Sequence, residues 1–414
     1  MKILQINSVY IERSTGRTCY EVEKALEAAG HQCVTAYGFG PKRNTPNAYK
    51  IGTKLAYYFH NIMGRITGLC GYFSVFATLR LIRFIKKYDP DVIHLRNLHA
   101  FYVNLPILFR YLKKAQKPVI LNVHDCWIFT GKCPHYTVNG CDGWRNECGY
   151  CSKRVVNQYP QSLFFDFSKK MFRDKKKWLC ALEDLTVVGV SDWTAAQAKM
   201  SFLGNREVLR IYNWVNMDVF KPSSENIFPA YGIPTDKFTV VCAAVSWSKD
   251  SEKYRELVQV IEKAGDNVQF VIVGTADTPI VRDNVYHIGY VSDTAKLAQI
   301  YSASDVSMHF SLEDTFGKVI AEALACGTPT VVYHSTSCSE IADETCGITV
   351  TPHDTDGMVA AIRKIQAEPQ RYAPAYCRRR VEENFRYETN TKQLLGLYQR
   401  VLKNRTLQGV VETQ

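Results

Sequence analysis

The segment Ser311–Pro329, SLEDTFGKVIAEALACGTP, holds the densest set of residues able to do chemistry in this chain. Asp314 precedes a helix start predicted at Phe316–Gly317, and Glu322 follows it eight residues later, inside the helix. At about 1.5 Å per residue the separation is roughly 12 Å, comparable to the distance from a hexose across a diphosphate to a ribose. Two carboxylates so spaced can each accept hydrogen bonds from a vicinal hydroxyl pair. Between them, the free N–H groups at Gly317 and Lys318 and the helix dipole offer an anion site. Gly317 lets backbone approach a phosphate closely. Glu322 lies among Ile320, Ala321, Ala323, Leu324 and Ala325, a packed helix rather than a solvated face, where an acid needs a partner.

A second set lies at the ends of strand-like runs in the first half. Ser14, Thr15, Gly16 and Arg17 follow the first run, His94 and His99 end or follow another, and His124 with Asp125 ends the next. In an open α/β sheet the carboxyl ends of strands present ligands, so these residues are expected on one edge. A lone histidine is more often structural, and position is what raises these three.

Between His124 and Lys153 four cysteines cluster as Cys133-x7-Cys141-x6-Cys148-x2-Cys151, in a polar loop with His135 close by. Four thiols ending in Cys-x-x-Cys fit a structural tetrahedral zinc site. Two disulfides or four unlinked thiols are the alternatives. The other ten of the 14 cysteines are scattered through regular segments and read as reduced, mostly buried residues.

The elements that must position these groups alternate. KILQIN, HQCVTAYGF, DVIHLRN and PVILNVHD are strand-like in the first half, separated by helical stretches that include one long region around Tyr57–Lys87. The pattern restarts at FTVVCAAV, followed by VQFVIVG, VYHIGYV, DVSMHF, TPTVVYHS and GITVTP. Continuous Val/Ile/Leu runs are what a parallel sheet buried on both faces requires. The expected class is α/β, two doubly wound Rossmann-like domains facing a cleft. The boundaries read as 1–210, with a Cys-rich loop at 126–153, then 211–385, then a C-terminal helix and tail at 386–414. A length of 414 residues suits two or three domains, and 46% hydrophobic with 22% charged residues excludes disorder and fibrous repeats.

No apolar run reaches bilayer length; the longest candidate, Ile66–Leu79, is too short to cross. The N-terminal MKILQINSVY lacks the features of a secretory signal. Charge is uneven. Residues 1–189 hold 28 Lys+Arg against 13 Asp+Glu, a balance of +15, which leaves −4 for the remainder of a chain whose net charge is +11. Two basic segments mix with aromatic residues: Arg80, Arg83, Lys86 and Lys87 near Phe84, and Lys169–Lys177 near Phe172 and Trp178. Such mixtures suit an anionic membrane surface. Solvated helix faces and nucleic-acid binding are the competing readings, and the acidic second half weighs against nucleic acid.

Asp314-x7-Glu322 followed by Ala-Leu-Ala-Cys-Gly-Thr-Pro resembles the E-x7-E motif of the family 4 retaining glycosyltransferases, whose fold is GT-B. Ile211-Tyr-Asn213-Trp-Val-Asn-Met-Asp218-Val-Phe220-Lys-Pro222 is similar to that family's domain linker, and Leu297–Asp305 to the helix and strand before the motif. Ser14–Arg17, His94-Leu-Arg-Asn97-Leu-His99 and His124-Asp125-Cys126-Trp127 resemble the subgroup that builds colanic-acid-type and capsular polysaccharides. The first acid is Asp314 rather than Glu, with Glu313 beside it, so either carboxylate fits the role. The family's Arg and Lys-Gly pair is replaced by Ser246-Trp-Ser-Lys249-Asp-Ser-Glu-Lys253, in which Lys253 matches the Lys and Lys249 stands in for the Arg.

The resemblance implies a hexosyltransferase that moves a sugar from a nucleotide-diphosphate donor to a glycan or lipid-linked glycan acceptor, with retention and no catalytic cofactor. It makes His124, Asp314 and Lys253 catalytic. Gly16, Lys249, Lys253, Glu313, Asp314, Phe316, Gly317, Lys318 and Glu322 become donor-binding. Ser14, Thr15, Arg17, His94 and His99 lie on the acceptor side. Reduced cysteines, the charge split and a lipid-linked acceptor together lead to the expectation of a cytoplasmic enzyme peripheral on the inner face of the cell membrane, with no nucleic-acid partner. A GT-B nucleotide-sugar epimerase and a zinc-containing nucleic-acid-binding protein are the alternative functions.

Overall fold

The computed structural model describes residues 1–149, 151 and 159–411. Positions 150, 152–158 and 412–414, parts of the expected Cys-rich loop and C-terminal tail, lie outside the described residues. The chain forms two compact units, one of Met1–Ile211 with the chain from Thr391 onward, the other of Tyr212–Asn390.

The first unit contains, in order, β1 (Lys2–Asn7), α1 (Arg13–Ala28), β2 (Gln32–Tyr37), β3 (Ala48–Lys50), α2 (Lys54–Thr67), α3 (Val75–Tyr88), β4 (Val92–Leu95), α4 (Leu105–Ala115), β5 (Val119–Val123), α5 (Ser168–Cys180), β6 (Leu185–Gly189), α6 (Asp192–Met200) and β7 (Glu207–Arg210). Its seven strands are all parallel in the order β3-β2-β1-β4-β5-β6-β7. Parallel neighbours need crossovers, and the intervening helices supply them except between β2 and β3, which residues 38–47 join without a helix. Side chains alternate across a strand. Leu4, Ile6, Val34, Ile93, Leu95 and Leu121 therefore share one face with the apolar core. Gln5, Asn7, Thr35, His94 and Asn122 occupy the other parity and are buried as well. These polar residues share that face with Ile3, Val92 and Ile120 and are partly satisfied internally. Gln5 Nε2 donates to the Cys19 carbonyl of α1 at 2.9 Å, and His94 bonds Asn122 Oδ1 at 3.0 Å, whereas Gln5 Oε1 is buried without a protein partner.

The second unit contains β8 (Phe238–Trp247), α7 (Glu252–Ala264), β9 (Val268–Ala276), β10 (Val285–Gly289), α8 (Thr294–Ser302), β11 (Val306–His309), α9 (Lys318–Ala325), β12 (Thr330–Tyr333), α10 (Cys338–Ile341), β13 (Gly347–Val350), α11 (Thr355–Ala367) and α12 (Pro374–Asn384), with α13 (Tyr387–Val411) continuing into the first unit. Its six strands are again all parallel, in the order β10-β9-β8-β11-β12-β13. Val240, Cys242, Phe270, Ile272, Val331 and Ile362 lie in its core.

Three sequence expectations need correction. The long helical region around Tyr57–Lys87 is two helices, because Gly68 ends α2 at φ +75° and Gly71 follows at φ +85°, a backbone that side-chain-bearing residues seldom adopt. Ser14, Thr15 and Gly16, whose residue types suit a turn between the first strand and the first helix, already lie within that helix, since α1 begins at Arg13. The basic segments do not offer the expected aromatic residues to a membrane. Phe172 is buried, Trp178 stacks on Phe109 at 5.8 Å, and Phe84 stacks on Tyr49 at 4.0 Å. Lys175 is buried too, its ammonium donating to the carbonyls of Trp127 and Gly131 and lying 3.8 Å from the Trp127 ring centre. Among the described residues no helix is long and apolar enough to cross a membrane.

Candidate active site

In the second unit the loop after β11 is pinned by the segment after β12. Ser335 Oγ donates to the Leu312 carbonyl at 2.6 Å, Asp314 N–H donates to Thr336 Oγ1 at 3.1 Å, and Ser337 Oγ donates to the Asp314 carbonyl at 2.8 Å. His309, the last residue of β11, brings Nε2 to 2.5 Å from Asp314 Oδ2. Cys338 Sγ is 3.9 Å from the same oxygen. His309, Asp314 and Cys338 are one of two groups among the described residues whose ligand-type atoms lie within 4.8 Å of one another.

Gly317 turns the loop into α9 at φ +69°, and a Cβ there would stand 2.8 Å from Ile320 Cδ1. The first N–H groups of the helix are thereby aimed back along the loop. Lys253, in the first turn of α7, is half-buried with Nζ 5.1 Å from the Trp247 ring centre. Burial lowers its pKa, and the negative charge of Asp314 opposes that shift. The structure thus places Lys253 within electrostatic reach of Asp314. Lys249 is exposed, and its backbone N–H donates to Asp277 Oδ1 at 3.1 Å.

Glu322 is buried on α9. Burial, and then the charge of Glu322, raise the Tyr301 hydroxyl well above its ordinary pKa. Glu313 and Lys318 are half-buried, and the Glu313 N–H donates to Ser311 Oγ at 3.3 Å. Phe316, expected to bind donor, is a core residue instead, buried with its ring 5.5 Å from that of Phe385 and 6.3 Å from that of Tyr212.

In the first unit a cavity of 250 Å³ is lined by polar Arg13, Thr15, Asn97 and His99 and by the rings of Phe39, Tyr57 and Tyr159. Aromatic faces with a few polar groups suit a carbohydrate ring, whose C–H bonds pack on the rings while its hydroxyls bond the polar atoms. His99 Nε2 is 2.8 Å from Asp125 Oδ2, and Asn97 Nδ2 donates to the same oxygen at 3.3 Å. Burial opposes ionisation of Asp125, but the charge and hydrogen bond of His99 and the Trp127 N–H outweigh it and bring the carboxyl to about 2.

His124 is also buried, with Nε2 3.2 Å from Arg96 Nη1. Burial and the Arg96 charge lower the imidazole to about 3, so it is neutral and accepts from Arg96. His99, His124, Arg96 and Asp125 line a small adjoining cavity. Of the residues expected on the acceptor side, Thr15 and His99 share the larger cavity. Ser14 is exposed, Arg17 half-exposed, and Gly16 buried against the backbone of Tyr10 and Ile11. His94 is a correction: it is fully buried, its ring nitrogens engaged by Tyr398 OH at 2.6 Å and Asn122 Oδ1 at 3.0 Å. It buttresses the sheet.

Sequence spacing missed His309, Thr336, Arg13, Arg96 and the aromatic lining. His309 is separated from Asp314 by an irregular loop, Thr336 and the aromatic rings come from distant segments, and Arg13 and Arg96 sit two residues from Thr15 and His94 without a spacing that marks them. The only local signal was position, since His309 ends a strand.

The four cysteines share one neighbourhood. Burial pushes the Cys133 thiol up to about 12, with further upward pressure from Cys151, Cys148 and Cys141. Gly131 N–H donates to Cys148 Sγ at 3.2 Å. All four are free thiols, and their sulfurs do not form a group within 4.8 Å of one another.

The chain forms a pair of Rossmann-like units, each built on an all-parallel sheet, and sequence families name the class. Residues 15–219 match Glycosyltransferase Family 4, and residues 238–368 match Glycosyl transferases group 1. The chain belongs to these glycosyltransferases, and its fold is GT-B. It is 24% identical over 372 residues to WcaC of Escherichia coli K12, a glycosyl transferase assigned by name to colanic acid biosynthesis, covering 86% of this chain and 88% of that one. It is 24% identical over 301 residues to a GDP-mannose-dependent α-(1-6)-phosphatidylinositol dimannoside mannosyltransferase of Mycobacterium tuberculosis, covering 70% and 76%. Similar folds include the sucrose-phosphate synthase of Thermosynechococcus elongatus, with TM-score 0.68, 17% identity and coverage of 97% and 99%. HepE of Anabaena in complex with UDP-glucose is another, with TM-score 0.65, 14% identity and coverage of 97% and 100%.

Proposed function

We propose that this glycosyltransferase moves a hexose from a nucleotide-diphosphate donor to a hydroxyl of a growing, lipid-linked polysaccharide, with retention of anomeric configuration. The observation that carries the donor half is a carboxylate, Asp314, braced by His309 at the N-terminal end of α9, which also bears the buried Glu322. In the proposed reaction the bond from the anomeric carbon to the diphosphate oxygen breaks. A bond to the acceptor oxygen forms on the same face, and the acceptor proton passes to the departing phosphate. The task of the chain is electrostatic: Lys253 and the helix N-terminus stabilise negative charge as it grows on the leaving group. The mannosyltransferase relative is named for GDP-mannose and HepE was captured with UDP-glucose, which supports a nucleotide-sugar donor here. The colanic-acid relative supports a polysaccharide product. The glycosyltransferase assignment takes the place of the epimerase and nucleic-acid readings.

A thermal-shift screen of nucleotide sugars followed by transfer to a polyprenyl-diphosphate-linked saccharide tests this. A stabilising donor and a product of unchanged anomeric configuration are expected. An inverted product, or conversion of free donor without transfer, would overturn it.

For the cysteines, the proposal is a structural zinc held by Cys133, Cys141, Cys148 and Cys151. The donor set is right and an N–H already points at one sulfur. Binding would displace protons from the thiols and draw the sulfurs together.

A further inference from the structure

Helix α2 is apolar on a side that faces water. Leu55, Tyr58, Phe59 and Ile62 stand at helical spacings of three and four and are all exposed, Leu55 at 79%. A stripe of this kind ordinarily faces a core. The core-facing side of α2 is a different one, built on His60 and Gly64; His60 bonds Ser74 Oγ at 2.8 Å and accepts from the Gly71 N–H at 3.1 Å.

Neighbouring elements extend the stripe. The Phe59 ring meets Phe73 edge-on at 6.3 Å, next to the start of α3, where Val75 and Phe76 are exposed, Phe76 at 80%. At the other end Leu163 N–H donates to the Arg65 carbonyl at 2.8 Å, which sets exposed Leu163, Phe164 and Phe165 against the end of α2. Single exposed apolar residues are ordinary, whereas a run across three elements is an interaction surface.

Charge identifies the partner. Between Glu27 and Asp89 the sequence contains no Asp or Glu but nine Lys and Arg. Lys54, Arg65, Arg80 and Arg83 are exposed on α2 and α3 themselves. The carboxylate beside the loop, Asp166, is paired with Lys132 at 3.6 Å and hydrogen-bonded by Ser168.

We infer that α2, the start of α3 and the 163–165 loop form a docking face for an anionic lipid bilayer. Aromatic and aliphatic side chains enter the boundary between headgroups and acyl chains, and the basic residues meet lipid phosphates. A second copy seated on the same face would set the two basic surfaces against each other. A nucleic acid would leave the apolar stripe in water. This face is distinct from the lysine-rich α5 expected from sequence, and the inference does not rest on the transferase reading.

The test is cosedimentation of the full chain with phosphatidylcholine vesicles, with and without about one third phosphatidylglycerol. Binding to anionic vesicles is expected, weakening with salt and at least about tenfold weaker on neutral ones. Phe59→Ser with Phe76→Ser should cost about tenfold or more in partitioning, with melting temperature and donor-induced thermal shift unchanged. Arg80→Glu with Arg83→Glu should remove most of the salt sensitivity. If the double phenylalanine variant does not melt cooperatively, Leu55→Ser gives the same comparison at a position that is 79% exposed. Equal binding to both vesicle types, or unchanged binding by the apolar variants, would overturn the inference. So would self-association that these variants abolish in a chain that ignores vesicles, which would give the face to a second copy.

Discussion

His309 Nε2 lies 2.5 Å from Asp314 Oδ2, so the last residue of a buried strand fixes the carboxylate that begins the acid pair. The loop between them is irregular; the imidazole holds the carboxylate itself, while Thr336 and Ser337 anchor the Asp314 backbone. His309→Ala is therefore expected to lower kcat roughly 10- to 100-fold, because small misplacements of a positioning group cost that much. His309→Gln, which can still donate, should recover part of the loss. Steady-state kinetics check both, and an unchanged kcat in the Ala variant would make the contact incidental.

Glu322→Ala should abolish transfer while preserving the fold. Alanine is the best helix former, and an unneeded buried carboxylate would only cost stability. Asp314→Ala should cost more turnover than Glu313→Ala, since Asp314 alone of the two is shown to meet His309 and the field of Lys253. Transfer rates and melting curves of the three variants decide this. The reverse order would assign the motif's first acid to Glu313.

Acid should destabilise the first unit in two stages. His124 titrates near 3 when folded against about 6.5 when unfolded, so the unfolded chain binds the extra proton first. Stability is then lost as pH falls from about 6.5 toward 3, and His94, also lowered, contributes in the same direction. Asp125, lowered to about 2, adds stability above its unfolded value that is lost between about 3.8 and 2. Denaturant midpoints between pH 7.5 and 4.5 should fall for the wild type and fall less for His124→Asn. Parallel slopes would remove His124 as the source.

Lys175 is expected to matter for folding rather than for surface charge. Its ammonium is held by two carbonyls and the Trp127 ring, and burial lowers it to about 7. Lys175→Glu should cost on the order of 3–5 kcal/mol, because it buries a carboxylate against carbonyl oxygens. Lys176→Glu and Lys177→Glu, at exposed positions, should stay within about 0.5 kcal/mol of wild type. Urea melts distinguish the three.

Metal analysis of purified chain should find about one zinc per molecule. Chelation should raise the number of thiols that react with a disulfide reagent by up to four and expose the region after Lys132 to proteolysis. Four reactive thiols in untreated protein with no zinc would end the proposal.

All six strands of the second sheet and four of the seven in the first were legible from Val/Ile/Leu runs, because parallel strands buried on two faces need continuous apolar sequence, whereas β3, β6 and β7 went unread. The acid pair was legible because α9 carries a fixed rise between Gly317 and Glu322. What spacing could not supply was contact between distant segments. Thr336 and Ser337 brace Asp314 from the far side of β12, and Phe39, Tyr57 and Tyr159 converge on one cavity from three separate loops and helices. His94 misled for the same reason. A strand-end histidine reads as a ligand until Tyr398, more than three hundred residues away in sequence, is seen to cover it.

That cover has a consequence for how the chain is made. The seven strands of the first sheet have all been synthesised once Arg210 is translated, yet the helix bearing Tyr398 joins the unit only from Thr391. At about 5–20 residues per second, the nascent sheet waits roughly 10–40 s for its last layer. A face of aliphatic side chains left open for that long would invite aggregation. The face built on Gln5, Asn7, Thr35, His94 and Asn122 can hold water in the interval and exchange it for Tyr398 when the helix arrives.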